Sequence, residues 1–576
     1  MARDSGRRAA DLGAAGRRPS RVRIGAAALL TAVTLVLSGC IAIPTSGSVA
    51  GAGEVGGGEA PELVFQPNGP VEGGTPEQII TGFVQAAIGP QGSYAVARQF
   101  LSTGFADEWD PNAGVLVRSG QQSTSQLDEN SFELNFTATA SVDASGQYTS
   151  LVSPQSATVS FEMVQQGGEW RIAETPDGIV LTEQYFDDIF EAYPLYFFAP
   201  GFQNLVPDLR WFPNLATTSS RLVRGLLAGP SEWMQPPAVV TAFPEGTEAL
   251  LVNVENGRAI VDLSAEARAD TVALQRMKLQ LTSTLSSVLS IQSVEVRIER
   301  TPTTIPDLGG AGPATDPQVD GSPLVLADGT FGFLANGAAQ PLPVVGETIA
   351  ALEPTSVTLG ADEVSAAVLN VAGAWMVRRD EEPLLVDERV GLIPPSLDSE
   401  GFLWSVPAAD PTAILAFRPS GEGSAVGTSW GEGARIVSID VSRDGARLLA
   451  LLDSGQGARL AVASIVRDEN GTPLRLTSPV LELDADAGSP IDATWVDNVT
   501  VATLTRPGET EDPVVTMQQV SGRVVDLGKV PGAVSIVGGN GRSNLRVLTG
   551  DGLLQVPRGN GWQRAGSGVA VLATQR

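Results

Sequence analysis

Ile436-Val437-Ser438-Ile439-Asp440-Val441, the turn Ser442-Arg443-Asp444-Gly445 and then Arg447-Leu448-Leu449-Ala450-Leu451-Leu452 form the stretch that decides how the C-terminal half is read. Two short apolar runs flank an Asp-Gly turn, and neither has the three- and four-residue spacing of an amphipathic helix, so the unit is strand, turn, strand. Comparable units centre on Asp328-Gly329, Ala361-Asp362-Glu363, Asp398-Ser399-Glu400-Gly401, Val496-Asp497-Asn498 and Gly539-Asn540-Gly541. Their separations suit a four-stranded propeller blade, roughly 40–50 residues. About six blades fit between residues 324 and 576, which predicts an all-β propeller, although the repeat is degenerate and periodicity alone leaves a β-sandwich open.

Working towards the N-terminus, residues 301–323 are rich in Gly, Pro, Ala and Asp and read as a linker. Residues 200–300 read as an α+β module. A strand at 205–213 precedes a helix at 219–227 stopped by Ala228-Gly229-Pro230, and strands at 249–254 and 258–263 follow. A long helix then aligns Leu274, Met277, Leu281, Leu285 and Val288 on one core-facing stripe before a closing strand at 293–298. Asp262 is the acidic residue of the 258–263 strand; with no acid/base partner recognisable near it, it is assigned to a turn or a backbone amide.

Residues 72–199 open on Thr75-Pro76-Glu77-Gln78, a capping box with proline at the first helical position. Ile79, Ile80, Phe83, Val84 and Ala87 give that helix one apolar face, and a second short helix is expected at 94–101. Strands are expected at 114–118, 132–140, 157–165 and 169–172, so helices followed by an antiparallel sheet predict a small α+β cone similar to nuclear-transport-factor-like domains. The aromatic residues Tyr185, Phe186, Phe190, Tyr193, Tyr196, Phe197 and Phe198 either line a pocket or, on the simpler reading, form the seam with the next module.

The N-terminus reads as an address. An arginine-rich opening runs into an uncharged stretch at 24–37, shorter than the ~20 residues that span a bilayer. It ends in Leu37-Ser38-Gly39-Cys40. That ending resembles the bacterial lipobox, which makes residues 1–39 a lipoprotein signal peptide and Cys40 the acylated new N-terminus, with two or three chains such as palmitate needed for stable anchoring. Residues 40–71 are Gly-rich and read as a flexible tether. The literal G-x-G-x-x-G at Gly51, Gly53 and Gly56 has no preceding strand or following helix and is not a dinucleotide site.

Composition removes whole classes of chemistry. The chain has 576 residues, 37 Lys+Arg against 65 Asp+Glu, a formal net charge of −28, no histidine and one cysteine. Without histidine there is no Ser-His-Asp or Cys-His pair, and one cysteine makes no intrachain disulfide, thiolate zinc site or iron–sulfur cluster. The acidic balance argues against nucleic acid as a partner. Gly427-Thr428-Ser429-Trp430-Gly431 matches a nucleophile elbow but lacks the histidine that the elbow requires. Ser-x-x-Lys fails at both lysines, Lys278 and Lys529, which are expected to be solvated surface groups. The acidic run at 484–492 lacks the closing glutamate of a calcium loop, where Trp495 stands, and is expected to be a solvated inter-blade turn. No catalytic residue, metal site or cofactor is assigned.

The order lipobox, tether, nuclear-transport-factor-like module, GerMN-like module and propeller resembles the LpqB family of actinobacterial lipoproteins. The GerMN resemblance rests on Arg210-Trp211-Phe212-Pro213, Leu226-Leu227-Ala228-Gly229-Pro230-Ser231, Phe243-Pro244-Glu245-Gly246-Thr247 and Ala259-Ile260-Val261-Asp262-Leu263-Ser264. The resemblance implies a membrane-anchored extracytoplasmic protein that is not an enzyme. Its implied role is accessory regulation of a sensor histidine kinase in MtrA–MtrB-type two-component signalling, which governs envelope homeostasis and cell division. The implied partners are the kinase's extracellular part and the membrane through lipidated Cys40; a small-molecule ligand is unknown. The alternative is an envelope-glycan-binding protein or a weak glycan-processing enzyme using two carboxylates.

Overall fold

The structure, a computed structural model, describes residues 67–576 other than 310, 311, 431, 432, 486, 487 and 560. Leu37, Ser38, Gly39, Cys40, the signal segment, residues 40–66 of the expected tether and the Gly51 motif lie outside the described residues.

The first module builds a curved sheet over two helices. Helix α1 (Pro76–Ala86) starts where the capping box predicts: Thr75 Oγ1 accepts the Gln78 N–H, and Gln78 Oε1 accepts the Thr75 N–H at 2.9 Å. Helix α2 (Gln91–Arg98) follows. Strands β1 (Gly114–Gln126), β2 (Ser131–Asp143), β3 (Tyr148–Gln166), β4 (Glu169–Glu174) and β5 (Ile179–Thr182) pair in the order β4-β3-β2-β1-β5. Along β2 the side chains Phe132, Leu134, Phe136, Ala138, Ala140 and Val142 alternate inwards and are all buried, the period-two pattern of a one-sided sheet. Register shifts within β1–β2 and β2–β3 bend the sheet around α1, where the Phe83 ring packs 5.0 Å from Trp109 and 6.2 Å from Phe161.

Helix α3 (Glu183–Ile189) leads into the second module. Its hairpin β6 (Phe190–Phe198) and β7 (Leu205–Pro213) pairs continuously from Phe190↔Pro213 to Phe198↔Leu205. A boundary at 199/200 therefore cuts a hairpin in half; the aromatic run before 199 is a strand whose partner follows it. Helix α4 (Thr218–Ala228), strands β8 (Ala249–Glu255) and β9 (Arg258–Leu263), helix α5 (Thr271–Leu285), β10 (Ser293–Ile298) and β11 (Thr301–Pro302) complete the module, with sheet order β11-β10-β9-β8. Asp270 caps α5 by accepting the Ala273 N–H, and Met277, Leu281 and Leu285 are buried as their spacing predicts.

The described residues of 303–323, expected to be a linker, form a strap anchored to the modules on either side. Ile305 is buried in the second module's core, and Lys278 holds the Ile305 carbonyl and the Asp307 carboxylate. The Leu205 N–H donates to Ala314 O, Asn498 Nδ2 to Thr315 O, and Asn540 makes two bonds to the Val319 backbone. A Gly/Pro-rich composition forbids regular structure here but leaves the backbone groups free to bond elsewhere.

The remaining residues form a propeller of six blades. The first strands of blades 2 to 6 are Ser356–Leu359, Ser396–Leu397, Arg435–Val441, Ser489–Trp495 and Ala533–Val537, each followed outwards by three further strands in sequence order, with a fifth strand in blade 4, Leu481–Leu483, also paired to that blade's third strand. Blade 1 takes its innermost strand from the far end of the chain. Val569–Gln575 runs antiparallel to Leu324–Ala327 and parallel to Ser356–Leu359, closing the ring. Consequently five of the six turn units read from the sequence join first to second strands, whereas Asp328-Gly329 joins the second and third strands of blade 1. The recurring aspartates close these turns by accepting following backbone amides: Asp398 Oδ1 takes the N–H of Glu400 and Phe402, and Asp444 Oδ1 that of Ala446. After the closing strand, Arg576 pairs with Asp440 in blade 4, both side chains being buried.

Candidate functional site: the interdomain junction and the N-terminal cavity

Every residue of β7 is buried, so its polar side chains must find partners inside the protein. Asp208 and Arg210 share one face and pair at 2.7 Å, with 1% and 3% of their side chains exposed. Asp208 also accepts the Ser231 hydroxyl at 2.7 Å and the Ser231 N–H at 2.8 Å. Arg210 uses its remaining donor capacity on Ser145 O, 2.9 Å away in the β2–β3 turn of the first module. The pair is thus fully bonded, the condition under which a buried ion pair is tolerated.

Trp211, on the opposite face of β7, touches all three modules. Its N–H donates to Gly146 O at 2.7 Å, and its ring lies 5.6 Å from Tyr148 and 5.2 Å from Phe186. Its indole Nε1–H donates to Ser521 O at 2.8 Å, in the turn between the third and fourth strands of blade 5. Gly146 sits at φ 85°, and a Cβ there would come within 2.9 Å of Trp211 O and the Phe212 ring, so glycine permits the approach. Two residues past Ser521, Arg523 pairs with Asp187 and Glu183 of α3. Burial pushes the nearby Tyr148 phenol up to about 12, so it stays neutral. The second module and the propeller meet as one apolar core, in which Leu222, Val261 and Leu281 join Leu449, Val462 and Trp495.

Within the first module a cavity of about 340 Å³ lies between α1 and the inner face of the sheet. Phe83, Val84, Val115, Val142, Phe161 and Ile179 give it apolar walls. Its polar lining comprises Ser141, Thr175, Asp143 and Asp177, the last two exposed and therefore at the mouth. Asp143 Oδ1 accepts from Ser145 and Gln147, and Asp177 Oδ1 accepts the Asp110 N–H at 2.8 Å. Among the described residues no hydrogen-bond donor meets the Oδ2 atom of either. Both sides of the mouth are held from the second module. Arg210 and Trp211 bind the turn that begins at Asp143, and Arg221 of α4 donates to Asn112 Oδ1 at 2.9 Å, next to the lining residues Ala113 and Gly114.

No aromatic of the 185–198 cluster lines this cavity. Phe186 and Phe190 belong to the first core, and Tyr193 and Phe197 to the second, so these rings form the seam. Asp262 accepts the Arg300 N–H at 2.8 Å, the backbone role its strand context indicates. The Ser429 hydroxyl donates to Thr477 O and the Trp430 indole to Pro411 O, which makes the elbow-like motif part of the blade packing; Gly431 lies outside the described residues. Lys278 is not a free surface group, since it clamps the strap, and Lys529 pairs with Glu511 at 2.9 Å. The acidic run at 484–492 is not simply a solvated turn. Asp492 stands in the first strand of blade 5 and accepts the N–H groups of Ala493 and of Ile536 in blade 6; burial pushes its carboxyl up to about 6. Asp486 and Ala487 lie outside the described residues.

Three family models match in succession: "Lipoprotein LpqB, N-terminal domain" over residues 69–187, "Sporulation and spore germination" over 194–304, and "Lipoprotein LpqB beta-propeller domain" over 329–572. Among relatives, Lipoprotein LpqB of Cutibacterium acnes is 23% identical over 94% of this chain and 92% of its own length. Those of Thermobifida fusca and Streptomyces coelicolor are 26% and 28% identical, over 89% and 82% of this chain and 92% and 85% of theirs. Of solved structures, the first GerMN domain of the sporulation protein GerM from Bacillus subtilis is 22% identical over 22% of this chain and 92% of that one, at a TM-score of 0.18. TolB from Acinetobacter baumannii is 16% identical over 44% and 66%, at 0.31. No helix of the described residues is long and apolar enough to cross a membrane. With both LpqB-named models matching in place around a GerMN-type module, and relatives of that name aligning along most of the sequence, the chain belongs to the LpqB lipoprotein family.

Proposed function

We propose that this lipoprotein is held at the extracytoplasmic face of the cell membrane through acylated Cys40 and acts there without catalysis, as an accessory regulator of a sensor histidine kinase of the MtrA–MtrB type. The observation that carries the reading is the junction at Trp211, where three modules converge on one side chain. A protein built this way offers broad, fixed faces for a partner, and confinement to a membrane raises the effective concentration enough for a modest interface to serve. The absence of histidine from the whole sequence removes the side chain that most often serves as acid or base at neutral pH. Proximity cross-linking in the native membrane, with Cys40→Ala as the unanchored control, tests it. Capture of a sensor kinase that is lost in the control is the expected result. Capture of wall polymers or other envelope proteins alone would overturn the kinase reading.

A further inference from the structure

We propose that the N-terminal cavity is a binding site for a small amphiphile with an apolar tail of about eight to twelve carbons and a cationic donor head. The size follows from the cavity volume of about 340 Å³, a little over twice the ~150 Å³ of an apolar cavity that accepts benzene. The tail follows from the walls: Phe83 and Val84 of α1 face Val115, Val142, Phe161 and Ile179 of the sheet, and those side chains offer a ligand dispersion contacts and nothing to hydrogen-bond. The head follows from the mouth. Asp143 and Asp177 each commit one carboxylate oxygen to neighbouring donors and leave the other free, while no lysine or arginine lines the cavity. Two carboxylates at the mouth of an apolar cavity repel a fatty acid or phosphate head and attract an ammonium. The mouth is also rigid, because Arg210, Trp211 and Arg221 fasten it from outside, so little ordering is needed on binding. This inference does not depend on the kinase reading.

The test uses the acylated full-length protein in phosphatidylcholine nanodiscs, with protein-free discs as the partition baseline that separates cavity binding from uptake by lipid. Octylammonium, octanol and octanoate are titrated calorimetrically. Octylammonium should saturate a single site and bind about tenfold or more tighter than octanoate, with octanol between them. Asp143→Asn combined with Asp177→Asn keeps the acceptors for the local N–H groups and should bring that ratio below about threefold. Ala87→Trp, which places a large side chain in the cavity, should abolish binding. Absence of saturable octylammonium binding, equal or tighter octanoate binding, or a preference unchanged in the double Asn variant would each overturn the proposal. The Asn variant keeps the test decisive even if Ala87→Trp fails to fold.

Discussion

Trp211 should be the residue whose loss separates the modules, and the structure sets the size of the effect. Its side chain is buried, with 9% exposure, between Tyr148 and Phe186 on one side and the blade 5 turn on the other. Trp211→Phe keeps an aromatic ring against both neighbours but leaves Ser521 O without the indole donor, a loss of ~1–3 kcal/mol for a buried acceptor left unpaired. Trp211→Ala also removes the ring. Large aromatic-to-alanine changes cost ~3–5 kcal/mol, and here the cost falls on contacts between modules rather than within one. Among the described residues, a direct side-chain tie between the first module and the propeller is the Arg523 pair with Asp187 and Glu183, whose side chains are 34–50% exposed. Pairs this exposed contribute only ~0–1 kcal/mol, so without the Trp211 ring the first module is coupled to the rest mainly through its hydrogen bonds with Arg210, Arg221 and the residue 211 N–H. Differential scanning calorimetry checks both steps. The parent chain should unfold with its first module and propeller coupled, Trp211→Phe should move that transition down, and Trp211→Ala should split the first module's transition from the propeller's. A Trp211→Ala profile that superimposes on the parent would show that the coupling resides elsewhere.

Three further outcomes are expected. Cys40→Ala should shift the protein from the membrane to the soluble fraction and abolish labelling by a clickable palmitate analogue, read by fractionation and in-gel fluorescence. Arg576→Ala should lower propeller stability, because it removes the counter-charge of the buried Asp440 carboxylate, which is left with the Thr494 hydroxyl and the Trp495 N–H on Oδ2; Asp440→Asn in the same chain should recover much of that loss in urea titrations. Asp492 carries a pH signature: its folded carboxyl titrates near 6, above the unfolded value, so the folded state binds the extra proton. Its contribution is fully present below about pH 4 and is lost as the pH rises through 6. The stability difference between the parent and Asp492→Asn should therefore change across pH 4–6.5 and flatten above it, and a flat difference throughout would contradict the burial argument.

Local patterns made the elements legible. The capping box at Thr75, the inward alternation from Phe132 to Val142, the stripe on α5 and the aspartate turns of the blades each express a structure within a dozen residues of chain. What stayed hidden is non-local. The hydrogen bond from Trp211 to Ser521 spans 310 positions, and nothing near either residue announces the other. The hairpin around 199/200 was not legible because the aromatic run at 190–198 resembles both a domain's end and a strand, and only its pairing with 205–213 decides. The Gly- and Pro-rich segment after 302 declared its irregularity but not its anchorage. The cavity is a volume left unfilled by side chains on five separate elements, and periodicity records which side chains point inwards, not how completely they fill the space.

The closing strand of blade 1 has a consequence for how the protein is made. Chains emerge from the N-terminal end, and domains fold as their residues become available. The strand Leu324–Ala327 is therefore exposed early, yet its inner partner, Val569–Gln575, is synthesised only after the strands of the other five blades. Throughout that interval the first blade carries an open, apolar edge, the kind of template that recruits other strands. A nascent chain stalled in blade 5 or 6 would display that edge permanently. Ring closure thus covers an edge that a truncated chain leaves open.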